Sequence, residues 1–183
     1  NYRDVNLILD CDEALIAQYQ DIYQDLLDMK ALAKILNQMR DRRGSLDFEI
    51  PEGKIIVDEI GKPIDVVRIE RGIGERIIEE FMLIANETVA DTITHMRLPF
   101  IYRVHDQPNE LKLNKFTRVA SLLGYKINLH QNGIHPHDLQ KVLYEIKDED
   151  EGLKTLLLRM MAKAKYSPKN IGHYGLASQC YTH

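Results

Sequence analysis

The sequence predicts an α+β fold, helix-rich, with a small antiparallel sheet. Three observations carry this. Apolar residues recur at helical spacing through long stretches near both ends of the chain. Between them lies a block of short segments rich in β-formers, separated by the turn signals EGK and IGKP. The strand-like segments fall in that one block and one isolated stretch. The chain has 183 residues with a hydrophobic share of 44%, enough for a core in one domain or one large piece of a domain.

Taken in order, Asp10 to Asp12 can cap a helix that runs to about Arg43, because Leu15, Ile16, Tyr19, Ile22, Tyr23, Leu26, Leu27, Met29, Leu32, Ile35, Leu36 and Met39 keep its spacing. Gly44 is the expected left-handed cap. LDFEI, KIIVDEI and PIDVVRIE then predict a three-stranded antiparallel meander over residues 46–70. A second long helix is expected from about Gly74 to Met96, and RLPFIYRVH reads as a strand after a proline break. PNELKLNKFTRVASLLG is a helix, with Pro108 near its first turn and Gly124 beyond its end. A loop, NLHQNGIHPHD, leads into a short helix. DEDEG marks a boundary, GLKTLLLRMMAKAKY is a further helix, and YSPKNIGHYGLASQCYTH closes the chain as turn plus short helix.

The net charge of −4 does not suggest a nucleic-acid-binding domain on charge alone. No apolar run is long enough to span a membrane, and NYRDVNLILD is not a signal peptide. Cys11 and Cys180 are the only cysteines and are expected to be free thiols in a reducing, cytoplasmic setting. His130, His135, His137 and Asp138 contain an H-x-H spacing, but it straddles a proline in a loop without nearby cysteine, so zinc is not expected. Ser178-Gln179-Cys180 lacks the frame of a nucleophile elbow, and no phosphate-binding P-loop is present.

The stretch IIEEFMLIANETVA, residues 77–90, looks buried on nearly every side, yet carries Glu79, Glu80, Asn86 and Glu87. Glu79 and Asn86 share one face two turns apart, as do Glu80 and Glu87. A buried carboxylate is costly unless paired or hydrogen-bonded. Either one pair faces water while the other caps neighbouring backbone, or a carboxylate and an amide are held rigidly toward a polar ligand.

These residues carry a resemblance. EEFMLIANETVA followed by LPFIYRVHDQPN resembles the central part of the catalytic (RNB) domain of the ribonuclease II / ribonuclease R family. NYRDVNLIL, RRGSLDFEIPE and MMAKAKYSPKNIGHYGLA agree with its landmarks in the same order, and IPEGKIIVDEIGKPIDV and HDQPNE place the chain nearest the bacterial ribonuclease R branch. The resemblance implies a 3′→5′ exoribonuclease that threads single-stranded RNA into a channel and releases nucleoside monophosphates by Mg²⁺-assisted hydrolysis. It also implies that the metal-binding aspartates lie before Asn1 and a phosphate-contacting arginine segment lies beyond His183. Residues 1–183 are therefore expected to be a partial RNB domain, with no catalytic or metal-binding residue of its own and inactive alone. Asp10 and Asp12 match no part of the metal motif and read as helix-capping residues. Ribosome or RNA-degradation machinery is an expected partner of the intact protein, and dimerisation is expected if apolar surface is left open. A non-catalytic helical interaction module sharing the fold is the alternative.

Site residues follow from the resemblance one at a time. Tyr2 falls where a tyrosine positions the RNA 3′ end, and Phe48 where an aromatic stacks on the terminal base. Glu79 and Glu80 fall at a Glu-Glu pair, one of which accepts from a ribose 2′-OH; Glu79 is favoured because it shares a face with Asn86. Arg103 and His105 share one face of their strand, where they suit phosphate or carboxylate contacts or pair with the nearby glutamates. His173, in a Gly-flanked turn, is a further candidate RNA contact, whereas Tyr166 and Tyr181 read as packing residues.

Overall fold

The computed structural model describes residues 1–48, 52–69, 71–127 and 133–183. It divides into two compact units, Asn1–Ile35 with Glu49–Phe81, and Leu36–Phe48 with Met82–His183. The observed elements are α+β, with seven α-helices and two two-stranded antiparallel sheets among the described residues.

In the first unit, α1 (Tyr2–Leu9) begins at an Asn1 cap, whose side chain accepts from the Asp4 N–H. Asp12 caps α2 (Glu13–Gln18) by accepting from the Leu15 N–H at 3.0 Å. Next comes α3 (Gln20–Arg43). The single helix expected up to Arg43 is thus two, broken at Tyr19, which leaves helical geometry at φ −115 and ψ 32. Periodicity could not reveal the break. Tyr19, Leu15, Ile16 and Tyr23 all pack on one cluster around Ile8, Leu9, Leu26, Ala33 and Ile77, so the apolar pattern runs straight through it.

The meander is also corrected. A hairpin pairs β1 (Glu52–Val57) with β2 (Pro63–Ile69), with Ile55 opposite Val66. Its turn is held by Asp58, whose carboxylate accepts from the N–H groups of Ile60 and Lys62. Leu46 to Phe48 form no strand, and Glu49 and Ile50 lie outside the described residues. Their strand-like pattern has another cause. Leu46 is buried in the second unit's core, with Phe48 packed against it, and the Leu46 N–H donates to the Gly175 carbonyl at 2.8 Å.

The long helix α4 (Ile73–His95) starts where the first unit supplies a cap from a different helix. The Asn6 side-chain oxygen accepts from the Gly74 N–H at 2.6 Å, and its amide donates to Glu75 at 3.0 Å. That bond is the largest influence holding the Glu75 carboxyl below its usual pKa. A Cβ at residue 72 would lie 2.2 Å from the Asn6 amide nitrogen, so a side chain there would push the capping amide out of place.

In the second unit, β3 (Tyr102–Val104) pairs antiparallel with β4 (Lys165–Ser167), so the strand expected to stand alone has a partner. Lys-Tyr-Ser is too short and polar to carry a strand pattern of its own, so the helical spacing before it runs on into β4. α7 (Glu151–Met160) in fact stops earlier. α5 (Glu110–Leu122), capped by Asn109, packs on α7, and α6 (Pro136–Glu145) starts with proline in its first turn. Phe116, Leu139, Val142 and Leu157 lie at the centre of this core. Gly44, at φ +93, ends α3 as expected, and a Cβ there would meet the His137 backbone nitrogen at 2.8 Å.

Phe116→Ala, at a site 1% exposed, should lower the urea-unfolding free energy by about 3–5 kcal/mol, and Asn6→Ala should cost roughly 0.5–2 kcal/mol through the lost cap. An unchanged urea midpoint in either variant would contradict the packing or the cap described.

Candidate functional site

The polar residues of α4 resolve the tension in its sequence. Glu79 is half-buried and pairs with Arg71 at 3.1 Å. Glu87 takes both guanidinium nitrogens of Arg43, which also donates to the Leu176 carbonyl at 3.2 Å. The Asn86 amide donates to the Tyr181 hydroxyl at 3.0 Å. Glu80 is buried, 6% exposed, and no buried side-chain polar atom among the described residues lacks a partner. Glu79 and Glu87 thus pair with Arg71 and Arg43, neither of which stands out in the sequence, rather than with Arg103 and His105.

Burial of α4 differs from expectation too. Ile77, Glu80 and Ala90 are buried, whereas Ile78, Met82, Ile84 and Val89 are exposed, Met82 by 43%. Helical periodicity marks a side as apolar without saying what covers it.

Around β3, alternation holds: Tyr102 and Val104 are buried, and Arg103 turns outward. His105 is buried. Its Nδ1 accepts from the Gly175 N–H at 2.9 Å, and its Nε2 faces the Ala162 carbonyl at 2.7 Å. An Nδ1 that accepts cannot carry a proton, so the ring is neutral and Nε2 is the donor. His105 therefore holds its own scaffold and has no ring nitrogen left for a phosphate. His173 packs 5.0 Å from it, ring to ring, and its Nδ1 accepts from the Leu176 N–H at 3.2 Å. Backbone bonds lace the same segment to β3: the His105 N–H donates to Gly172, and the Tyr174 N–H to His105. Gly175 is required by close approach, since a Cβ would lie 2.9 Å from His105 Nδ1.

Tyr2 opens α1 and is 49% exposed, and a Cβ on Gly74 would lie 3.5 Å from its ring. Phe48 is half-buried against the second unit's core. Arg103 stands directly opposite Tyr166 across the β3–β4 pair, its guanidinium carbon 4.8 Å from the ring centroid. Tyr166, expected to pack, is exposed; Tyr181 is buried as expected.

A family model of the RNB domain matches residues 1–183, the whole chain. The chain belongs to the RNB domain family. It is 45% identical over 184 residues to Ribonuclease R 1 of Lactococcus lactis, covering 100% of this chain and 22% of that protein. Its fold matches Mycoplasma genitalium RNase R, solved in complex with ribose methylated single-stranded RNA, at a TM-score of 0.88 and 31% identity, over 100% of this chain and 29% of the other. Yeast Ssd1, a pseudonuclease, shares the fold at a TM-score of 0.61 and 22% identity over 86% of this chain and 20% of its own. The chain therefore spans less than a third of each of these proteins.

Within this RNB chain, Asp12 is spent as a helix cap, and among the described residues no group of three or more His, Cys, Asp or Glu could hold a metal ion. His130 lies outside the described residues. The described donor set does not fit magnesium. Both cysteines are free, Cys11 exposed and Cys180 buried, and no described helix is long and apolar enough to cross a membrane.

The histidine pair gives a pH prediction. Burial, and next the neighbouring His105, push His173 down to about 4, and burial also lowers His105. Unfolded histidine titrates near ~6.5, so below that pH the unfolded chain binds protons that the folded chain refuses. Stability is complete above about pH 6.5 and is lost as pH falls toward 4. The urea midpoint should decline over this window, and less steeply in His173→Asn, which keeps an acceptor without titrating. Equal slopes in both proteins would contradict the neutral pair.

Proposed function

We propose that this chain is the RNA-contacting part of a 3′→5′ exoribonuclease that hydrolyses single-stranded RNA to nucleoside 5′-monophosphates with magnesium. The observation that carries this reading is the whole-chain RNB match, together with 45% identity to a ribonuclease R. Mycoplasma genitalium RNase R, whose fold the chain shares, was solved with single-stranded RNA, which supports the same substrate here.

In this reading Tyr2 and Phe48 each offer an aromatic ring to RNA, because stacking accepts any base and suits a degradative enzyme. Glu79 is the ribose-sensing carboxylate: it is half-buried and within reach of solvent, and its Arg71 partner fixes it on a rigid helix. Glu80, being buried, holds α4 rather than meeting RNA. Asn86 and His173 act through Tyr181 and the closing turn that they hold. Arg103 contacts phosphate or base. The metal ligands belong to the remainder of the longer polypeptide, so the 183-residue chain alone should release no mononucleotides.

The test uses the longer polypeptide. Glu79→Ala should reduce its preference for single-stranded RNA over DNA by about tenfold, the worth of one hydrogen bond to a charged group. Glu80→Gln should leave the preference unchanged. Undiminished discrimination in Glu79→Ala would overturn the assignment of Glu79. Robust mononucleotide release by the 183-residue chain with Mg²⁺ would show that the metal site had been misplaced.

A further inference from the structure

The segment that carries β4 has a composition unlike the rest of the chain. Residues 159–169, RMMAKAKYSPK, hold Arg159, Lys163, Lys165 and Lys169 and no acid, in a chain whose net charge is −4. Lys163, Lys165 and Lys169 are exposed. Lys165 is committed to Asp106 at 2.7 Å, whereas Lys163 and Lys169 have no ion pair among the described residues. Tyr166 lies between them in sequence with 59% of its surface exposed, and the Arg103 guanidinium carbon lies 4.8 Å from its ring centroid.

An exposed tyrosine ordinarily rotates freely and would lose that freedom on binding. Here the ring is restrained beforehand. It sits directly opposite Arg103 in the register of an antiparallel pair, and the cation–π contact restrains it there. More than half of its surface is still open to solvent, and unpaired lysines lie on both sides in sequence. A pinned aromatic ring among unpaired cations is complementary to a ligand that alternates flat π-faces with negative charges, which describes a single-stranded polynucleotide. An acidic peptide would satisfy the lysines but leave the ring unused.

We infer that Arg103 and Tyr166 form a base-stacking platform, with Lys163 and Lys169 as its phosphate contacts, that takes a nucleotide of single-stranded RNA. This rests on the RNA-degrading function proposed above and adds to it a subsite built from residues with no other evident task. Stacking gives the platform tolerance of sequence, while the lysines give it salt dependence.

The test measures binding of the full 183-residue chain to a 5′-labelled oligoadenylate by fluorescence anisotropy. Tyr166→Leu should weaken binding about tenfold, and Tyr166→Phe should retain it. An oligonucleotide with abasic positions should bind wild type and Tyr166→Leu alike. The double variant Lys163→Ala/Lys169→Ala should reduce the slope of log affinity against log salt by roughly 1.4, the worth of two phosphate contacts on a single strand. Unfolding midpoints matching wild type exclude a folding defect. If wild type binds the oligoadenylate and Tyr166→Leu binds equally well, the platform is refuted while the RNA reading stands. If wild type binds no RNA, or binds polyglutamate as tightly, the platform and the RNA-contacting role of this chain fall together.

Discussion

A backbone N–H donated to an imidazole nitrogen fixes two things at once: the ring's charge and the path of the chain around it. His105 accepts from Gly175 through one nitrogen and reaches Ala162 with the other, so it must stay neutral. Much of the second unit depends on this. Ala162 lies just before β4, and Gly175 lies in the closing turn, so one buried side chain at the end of β3 ties both to the same strand. The closing turn then brings Leu176 to Arg43 and Gly175 to Leu46, and the outward side of β3 is left to Arg103 and Tyr166.

The fold class was legible in the sequence because helices such as α5 and α6 carry clear apolar periodicity, with Pro108 near the start of α5 and Gly124 beyond its end, and because Gly44 marks the end of α3. What was not legible has identifiable causes. The break at Tyr19 leaves the apolar pattern intact, since Tyr19 faces the same cluster as its neighbours. β4 is three mostly polar residues whose only signal is their partner strand. Leu46 and Phe48 look like strand residues because they pack against a core, which alternation alone does not distinguish from pairing. The exposed side of α4 could not be foreseen, since periodicity reports apolarity rather than cover.

The candidate site was legible unevenly. Glu79, Glu80, Asn86 and Glu87 stood out as polar residues on an apolar helix, and each proves to be engaged, as buried or half-buried polar groups must be. Their partners Arg71, Arg43 and Tyr181 are distant or unpatterned in sequence and could not be paired without coordinates. His105 and His173 were visible as chemistry-bearing residues, but the structure gives their nitrogens to backbone groups. The lysines around Tyr166 were visible throughout; without β4, nothing said that the tyrosine faced outward.

Fold alone does not decide what such a chain does, since a pseudonuclease shares it. Amide chemical-shift mapping by NMR tests most directly whether the proposed side chains meet RNA. Titrating a short single-stranded oligoribonucleotide into the 183-residue chain should perturb amides around Tyr2, Glu79, Arg103 and Tyr166 and leave those around Gly124 and Glu145 in place. Perturbations confined to the α5–α6 surface, or no perturbation at saturating RNA, would contradict that contact.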